Sequence, residues 1–282
     1  MKGILLAGVH AARRLPLLLE DEPPAASVGA PLLLDLSLAV LLQAGVREIC
    51  IVASPEQTDL LRVEHGDGNR LGLHLSYELP PSDLSTLFAV RESWLAGQPV
   101  VVVQGDILLT GDSLSRQLRA AARRSHGASV FAHALPPSAS AATGSQTSAK
   151  RPTVALCGVS FFDERAGAMA HRLPPMPLPA GLLELQRSYL REGTLEVLPL
   201  DRGILCMDCS ASESLLALSL FLQTWEQTTA RRLACLEEIA LQQGILDLPA
   251  FERLLPTVAC PEKRLYLQRV LREATPPRRK AA

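Results

Sequence analysis

Aromatic residues are scarce in this chain: Phe, Tyr and Trp make up 4% of 282 residues. Hydrophobic residues nevertheless reach 48%, so the core has to be assembled from Leu, Val and Ala. An excess of one charge sign is missing as well. The 28 Lys and Arg against 29 Asp and Glu leave a net charge of -1, so no global field draws nucleic acid or an anionic membrane surface. No apolar run approaches the roughly 20 residues that cross a bilayer. The N-terminus lacks a basic segment followed by a cleavable apolar stretch. A soluble, cytoplasmic protein with neither nucleic-acid nor membrane partners is expected. No internal repeat is visible, and the length suits one large domain with a sizeable core.

A second closely spaced cysteine pair is also missing. Cys50, Cys157, Cys206, Cys209, Cys235 and Cys260 are scattered and are expected to be reduced and buried as small hydrophobes. Cys206 and Cys209 do have CxxC spacing. A zinc site would want a second pair, and a redox motif would want a helix starting at the first Cys. Packing is their expected role.

What is present is an alternation of two periodicities. Residues 4–7, 48–53, 73–77, 100–104 and 128–133 are short, apolar or alternating, and rich in β-branched side chains. Between them, 32–44, 56–65, 84–96 and 114–125 carry apolar residues at helical spacing. That rhythm predicts an α/β protein with a mostly parallel central sheet flanked by helices. Residues 154–162, 195–198 and 204–207 read as further strands. The chain after Ser210 reads as helical to Leu271, and the Ser/Ala-rich stretch 136–152 as a mobile surface loop. A second proline cluster at 174–179 reads as irregular.

Ligands of such sheets sit at the carboxyl ends of the strands, where Gly8 and Gly105-Asp106 fall. Beyond Gly8 the loop reads Val9-His10-Ala11-Ala12 and then Arg13-Arg14. Arg13 would offer its guanidinium to a phosphate, or make a surface salt bridge. Phosphate loops need glycine for tight turns and close backbone approach, and this loop has none after Gly8. Asp106 follows a buried strand and Asp208 a second apolar run. Two such carboxylates suit Mg²⁺ and the phosphates of a nucleotide, although a Gly-Asp pair also serves as a plain turn. Asp67, between two glycines, reads as a turn residue. Arg116, Arg119, Arg123 and Arg124 read as a solvated helix face.

Several segments in order resemble the glucose-1-phosphate thymidylyltransferases, a family of sugar-nucleotide pyrophosphorylases. They are Met1-Lys2-Gly3-Ile4-Leu5-Leu6-Ala7-Gly8, Ala44-Gly45-Val46-Arg47-Glu48-Ile49, and Gly66-Asp67-Gly68-Asn69-Arg70-Leu71-Gly72, which continues to Tyr77. Gln104-Gly105-Asp106-Ile107, Gly158-Val159-Ser160-Phe161-Phe162-Asp163 and Cys235-Leu236-Glu237-Glu238-Ile239-Ala240 follow. The resemblance covers residues 1–254. It implies a Rossmann-like nucleotidyltransferase fold over 1–209, beyond which the residues read as a helical portion over 210–274 and a frayed tail over 275–282. It also implies a nucleoside triphosphate or nucleotide-sugar and a sugar 1-phosphate as ligands. The protein would be a homo-oligomer, or a hetero-oligomer with an active homologue.

Carried over by position, Arg13 is the catalytic loop arginine, and Asp106 and Asp208 are the Mg²⁺ ligands. Gly8, Arg13, Gly105 and Gly158 line the nucleotide and sugar pocket. The departures from the family pattern are specific. Of Gly-Gly-x-Gly-Thr-Arg only Gly8 and Arg13 remain, and a downstream lysine is replaced by Glu22-Pro23-Pro24. The base-reading turn is shortened to Pro80-Pro81-Ser82-Asp83-Leu84-Ser85. A second lysine, from Glu-Lys-Pro, has no counterpart, although Lys150, Arg14 or Arg151 would be near enough in sequence to substitute. Losing one preorganised donor typically costs about 10²–10³ in rate. The expectation is a weakly active or non-catalytic homologue, a regulatory or structural partner in nucleotide-sugar or polysaccharide synthesis. The competing expectation is an active transferase with a rebuilt site and an altered nucleotide or sugar preference.

Overall fold

A computed structural model of the chain describes residues 1–8, 33–134 and 154–275. Its centre is a seven-stranded sheet of order β3-β2-β1-β4-β7-β6-β8. The strands are β1 (Lys2–Leu6), β2 (Glu48–Val52), β3 (His74–Glu78), β4 (Val100–Gln104), β6 (Ala128–Ala134), β7 (Val154–Phe162) and β8 (Leu195–Pro199). Four of the six pairings are parallel, and β7 alone runs against both of its neighbours. The predicted mostly parallel sheet is therefore present.

The four consecutive valines of β4 show why it lies at the centre. Val101 and Val103 enter one core cluster and Val100 and Val102 another, on the opposite face. A strand buried on both faces needs apolar residues at every position. Helix α1 (Leu33–Gln43) is likewise apolar all round, and every residue from Leu33 to Leu42 is buried. It packs on β5 (Ile107–Thr110) and against α9 (Leu236–Gln242).

The remaining helices follow local signals. α2 (Pro55–His65) opens on a capping box between Ser54 and Gln57, with Pro55 in its first turn. Predicted helix 84–96 is two helices, α3 (Leu84–Val90) and α4 (Glu92–Leu95), broken at Arg91. There the guanidinium is drawn to Glu78 at 2.9 Å and lies over the Trp94 ring. Of the arginines read as a solvated face, Arg116 and Arg119 lie on α5 (Leu114–Ala122), and Arg123 and Arg124 follow it. Three of them instead reach distant parts of the chain: Arg116 pairs with Asp201, Arg119 donates to the carbonyls of Gln43 and Gln243, and Arg124 pairs with Glu196 on β8. After α6 (Ala166–Ala170), the proline cluster proves partly helical. Pro179 sits in the first turn of α7 (Leu178–Arg191), where the missing N–H costs nothing.

β5 pairs antiparallel with β9 (Leu205–Asp208) in a second, two-stranded sheet. The chain ends in α8 (Ser212–Thr229), α9, α10 (Leu248–Leu254) and α11 (Pro261–Ala274). Leu236, Ala240, Phe251, Leu254 and Leu267 share one core cluster with Leu34, Leu38 and Val101. Among the described residues no helix is long and apolar enough to cross a membrane.

Candidate active site

β1 lies between β2 and β4, so the chain reverses its order across the sheet at the β1–β4 boundary. That boundary is where an open α/β sheet leaves a crevice beyond its strand ends. Gly8 and Gly105-Asp106 meet there. The Gly105 N–H donates to the Leu6 carbonyl at 2.6 Å. A Cβ on Gly105 would stand 2.6 Å from the Gly8 nitrogen and 2.7 Å from the Leu6 oxygen, both backbone atoms. Only glycine fits such an approach.

A Cβ on Gly8 would in turn fall 1.9 Å from Asp106 Oδ2. The Asp106 carboxylate therefore lies directly on the Gly8 backbone. Asp106 is 2% exposed and holds φ at 60°, a left-handed conformation that costs a non-glycine residue about 1–2 kcal/mol. Such strain persists where the surroundings over-determine it, and it clusters at functional sites.

The second sheet brings Asp208 to the same place. Ile107 pairs with Asp208, and the Asp106 carbonyl accepts the Cys209 N–H at 2.7 Å. The Asp208 side chain accepts the Ser210 N–H at 2.9 Å and closes an Asx turn. Cys209, buried next to Asp208 in sequence and bonded through its N–H to Asp106, registers both charges. Burial first, then the Asp208 and Asp106 carboxylates, push its thiol up to about 12. It is neutral packing, as its sequence context suggested.

Gly158 occupies a β-bulge. Val130 faces Ser160 and Ala132 faces Leu156, so Phe131 alone spans three residues of β7. Gly158, in the middle, takes φ 68°, and a Cβ there would press to 3.3 Å from the Gln104 Cβ. Beside it runs a groove lined by Gln104, Leu156, Gly158, Ser160, Leu183 and Gln186. Gln186 donates to the Ser160 hydroxyl at 2.8 Å, which gives the groove a polar side.

Gly8, Gly105, Asp106 and Asp208 thus gather at the carboxyl ends of β1, β4 and β9, with Gly158, at the bulge in mid-β7, beside Gln104 at the end of β4. Arg13 lies outside the described residues, as do residues 9–32 and the stretch 135–153 with Lys150 and Arg151. Asp67 is the turn residue expected, accepting from the Asn69 backbone at 3.0 Å. One contact escaped the sequence. Gln57 Nε2 donates to the Gly8 carbonyl at 2.8 Å, tying the first turn of α2 to the exit of β1. Its capping-box spacing was the only signal it offered.

A sequence model described as nucleotidyl transferase matches residues 2–141. Glucose-1-phosphate thymidylyltransferase from Neisseria meningitidis serogroup A is 32% identical over 97% of this chain and 100% of its own length. The enzyme of that name from Xanthomonas campestris is also 32% identical, over 90% of this chain and 91% of its own. Among solved structures, a candidate glucose-1-phosphate thymidylyltransferase from Bacillus anthracis, in complex with a sucrose, superimposes with a TM-score of 0.57. It covers 77% of this chain and 94% of its own at 17% identity, a likeness of fold. By identity and by near-complete coverage, this chain belongs to the glucose-1-phosphate thymidylyltransferase family.

Proposed function

We propose that this protein binds a nucleoside triphosphate or nucleotide-sugar together with a sugar 1-phosphate at the β1–β4 crevice, with turnover far below that of an intact family site. The observation that carries the binding half is the convergence of Gly8, Gly105 and Asp106 with Asp208. Glycine-tight backbone gives phosphate a close approach, and the two carboxylates are an oxygen donor set of the kind Mg²⁺ accepts. Asp106 and Asp208 would hold that ion, which supplies charge neutralisation to the phosphates when bound. The groove beside Gly158 would take the sugar, with Gln104 and the Gln186–Ser160 pair as its hydrogen-bonding groups.

The turnover half rests on the sequence. The loop after Gly8 lacks the family's other glycines, Glu22-Pro23-Pro24 stands where one family lysine is expected, and the second lysine has no counterpart. Each missing donor is worth about 10²–10³ in rate, and even with strong non-additivity the loss is several orders of magnitude. A protein that keeps the pocket without the rate fits a regulatory or structural partner of an active homologue in cytoplasmic nucleotide-sugar or polysaccharide synthesis.

The test is pyrophosphate release from dTTP or UTP with glucose 1-phosphate and Mg²⁺, using Asp106→Ala/Asp208→Ala as background. The expected result is no release above that background, with nucleotide-dependent thermal stabilisation of the wild type that the double variant loses. Release above background would mean a rebuilt, working transferase. No stabilisation by any nucleotide would remove the binding role as well.

A further inference from the structure

The CxxC spacing of Cys206 and Cys209 does not survive folding as a pair. Strand β9 alternates: Leu205 and Met207 face a cluster with Leu33, Leu108 and Leu218, whereas Cys206 packs on the main core. Cys209, past the strand end, joins the cluster around Leu108. The partner of Cys206 comes from the other sheet instead. One ligand atom each from His133, Cys157 and Cys206 lies within 4.8 Å of the other two.

The bulge at Gly158 explains how three separate strands achieve this. On β6, His133 stands opposite Ala155 of β7, which makes Cys157 its diagonal neighbour on the same face. Phe131, Cys157 and Val159 line the main core on that face. The two-stranded sheet lays Cys206 over them. All six cysteines are free thiols, so both sulfurs are available. Cys157 is buried, while His133 and Cys206 are half-buried, which leaves one side of the cluster open to an entering ion.

We propose that His133, Cys157 and Cys206 form a binding site for a thiophilic divalent cation of the zinc class, with three protein ligands and a fourth position open. Zinc takes Cys sulfur at about 2.3 Å and His nitrogen at about 2.0–2.1 Å in a tetrahedron. Ligand atoms then stand roughly 3.5 Å apart, about an ångström closer than the 4.8 Å within which these three already lie. Binding exchanges the two thiol protons, released to solvent, for the metal, and uses the lone pair of a neutral imidazole nitrogen. Soft thiolates exclude Mg²⁺, which takes oxygen ligands. The site is therefore chemically separate from the Asp106–Asp208 pair, although Cys206 and Asp208 leave the same face of β9.

The experiment uses full-length protein, reduced and stripped with a chelator, and titrated with Co²⁺ and then Zn²⁺. One Co²⁺ per chain is expected, with thiolate-to-cobalt charge-transfer absorption that Zn²⁺ abolishes and excess Mg²⁺ leaves intact. Cys206→Ser and His133→Asn, both at half-buried positions, should each weaken binding by more than about 100-fold, the upper range for changes beyond the ligand shell. Cys260→Ser should leave binding unchanged. Each variant's thermal melt confirms that it is folded. Absent charge-transfer absorption, or binding that persists in both Cys206→Ser and His133→Asn, would overturn the site. So would equal loss in Cys260→Ser.

Discussion

Asp163 shows how much one buried carboxylate can organise. It is 2% exposed and accepts from the Gly127 N–H at 2.7 Å, the Tyr189 hydroxyl at 2.7 Å and Arg165 Nε at 3.0 Å. Burial alone would raise its pKa. The hydrogen bonds from Tyr189, Gly127 and Arg165 outweigh it and hold the carboxyl below its usual range. A depressed folded pKa contributes stability that is present above the unfolded value of about 3.9 and is lost as pH falls through the folded one. Asp163→Asn is expected to cost about 3–5 kcal/mol at neutral pH, as for other broken buried ion pairs. Urea unfolding at a series of pH values checks it. The gap to wild type should narrow below roughly pH 4, and a gap that stays constant down to pH 3 would refute the account. The family segment ending in Asp163 was legible in the sequence. Its partners were not, because Gly127 and Tyr189 sit 36 and 26 residues away.

At the scale of elements, the C-terminal helices are held to the rest by charge as well as by apolar packing. Glu237, on α9, is 1% exposed and meets Lys263 of α11 at 2.9 Å and Arg70, beyond α2, at 3.9 Å. Burial would lower the Lys263 pKa, but the Glu237 charge beside it raises the value above normal. That contribution is fully present below the unfolded value of about 10.4 and is lost as pH rises through the folded pKa. Glu237→Leu should destabilise by about 3 kcal/mol, because it leaves the half-buried Lys263 ammonium without its partner. Glu237→Leu/Lys263→Met should recover most of that loss. Chemical denaturation of both variants decides it, and a double variant no more stable than the single would sink the pairing argument. Sequence periodicity found most of the elements. It missed β5, whose short apolar run follows the Gly-Asp turn directly, and the helices α6 and α7, and it joined α3 to α4. Nothing local announced that Arg91 would be drawn aside by Glu78 on a neighbouring strand.

For the whole molecule the question is whether the helices after residue 210 form a unit of their own. Phe251 and Leu267 lie in the same buried cluster as Leu5, Val101 and the inner residues of α1. A core shared in this way predicts cooperative unfolding of the whole chain. The two tryptophans are built-in reporters: Trp94 lies on α4 and Trp225 on α8. Single-tryptophan variants, Trp94→Phe and Trp225→Phe, should show coincident denaturation midpoints by fluorescence, matching the circular dichroism transition. Midpoints separated beyond error would mean two independently folding parts.

The sequence by itself determined the class of fold and the family, and it singled out Gly8, Gly105, Asp106 and Asp208 as candidates. Those follow from local periodicity and from short motifs that lie contiguous along the chain. Only the tertiary structure decided which distant residues meet. It set Asp106 against Gly8 across the β1–β4 boundary, brought Asp208 alongside through a two-stranded sheet, and separated Cys206 from Cys209. Spacing along the chain records neighbours within one strand or helix. Strand order, register and the bulge at Gly158 arise from burying both faces of the sheet at once, which couples positions more than 70 residues apart such as His133 and Cys206.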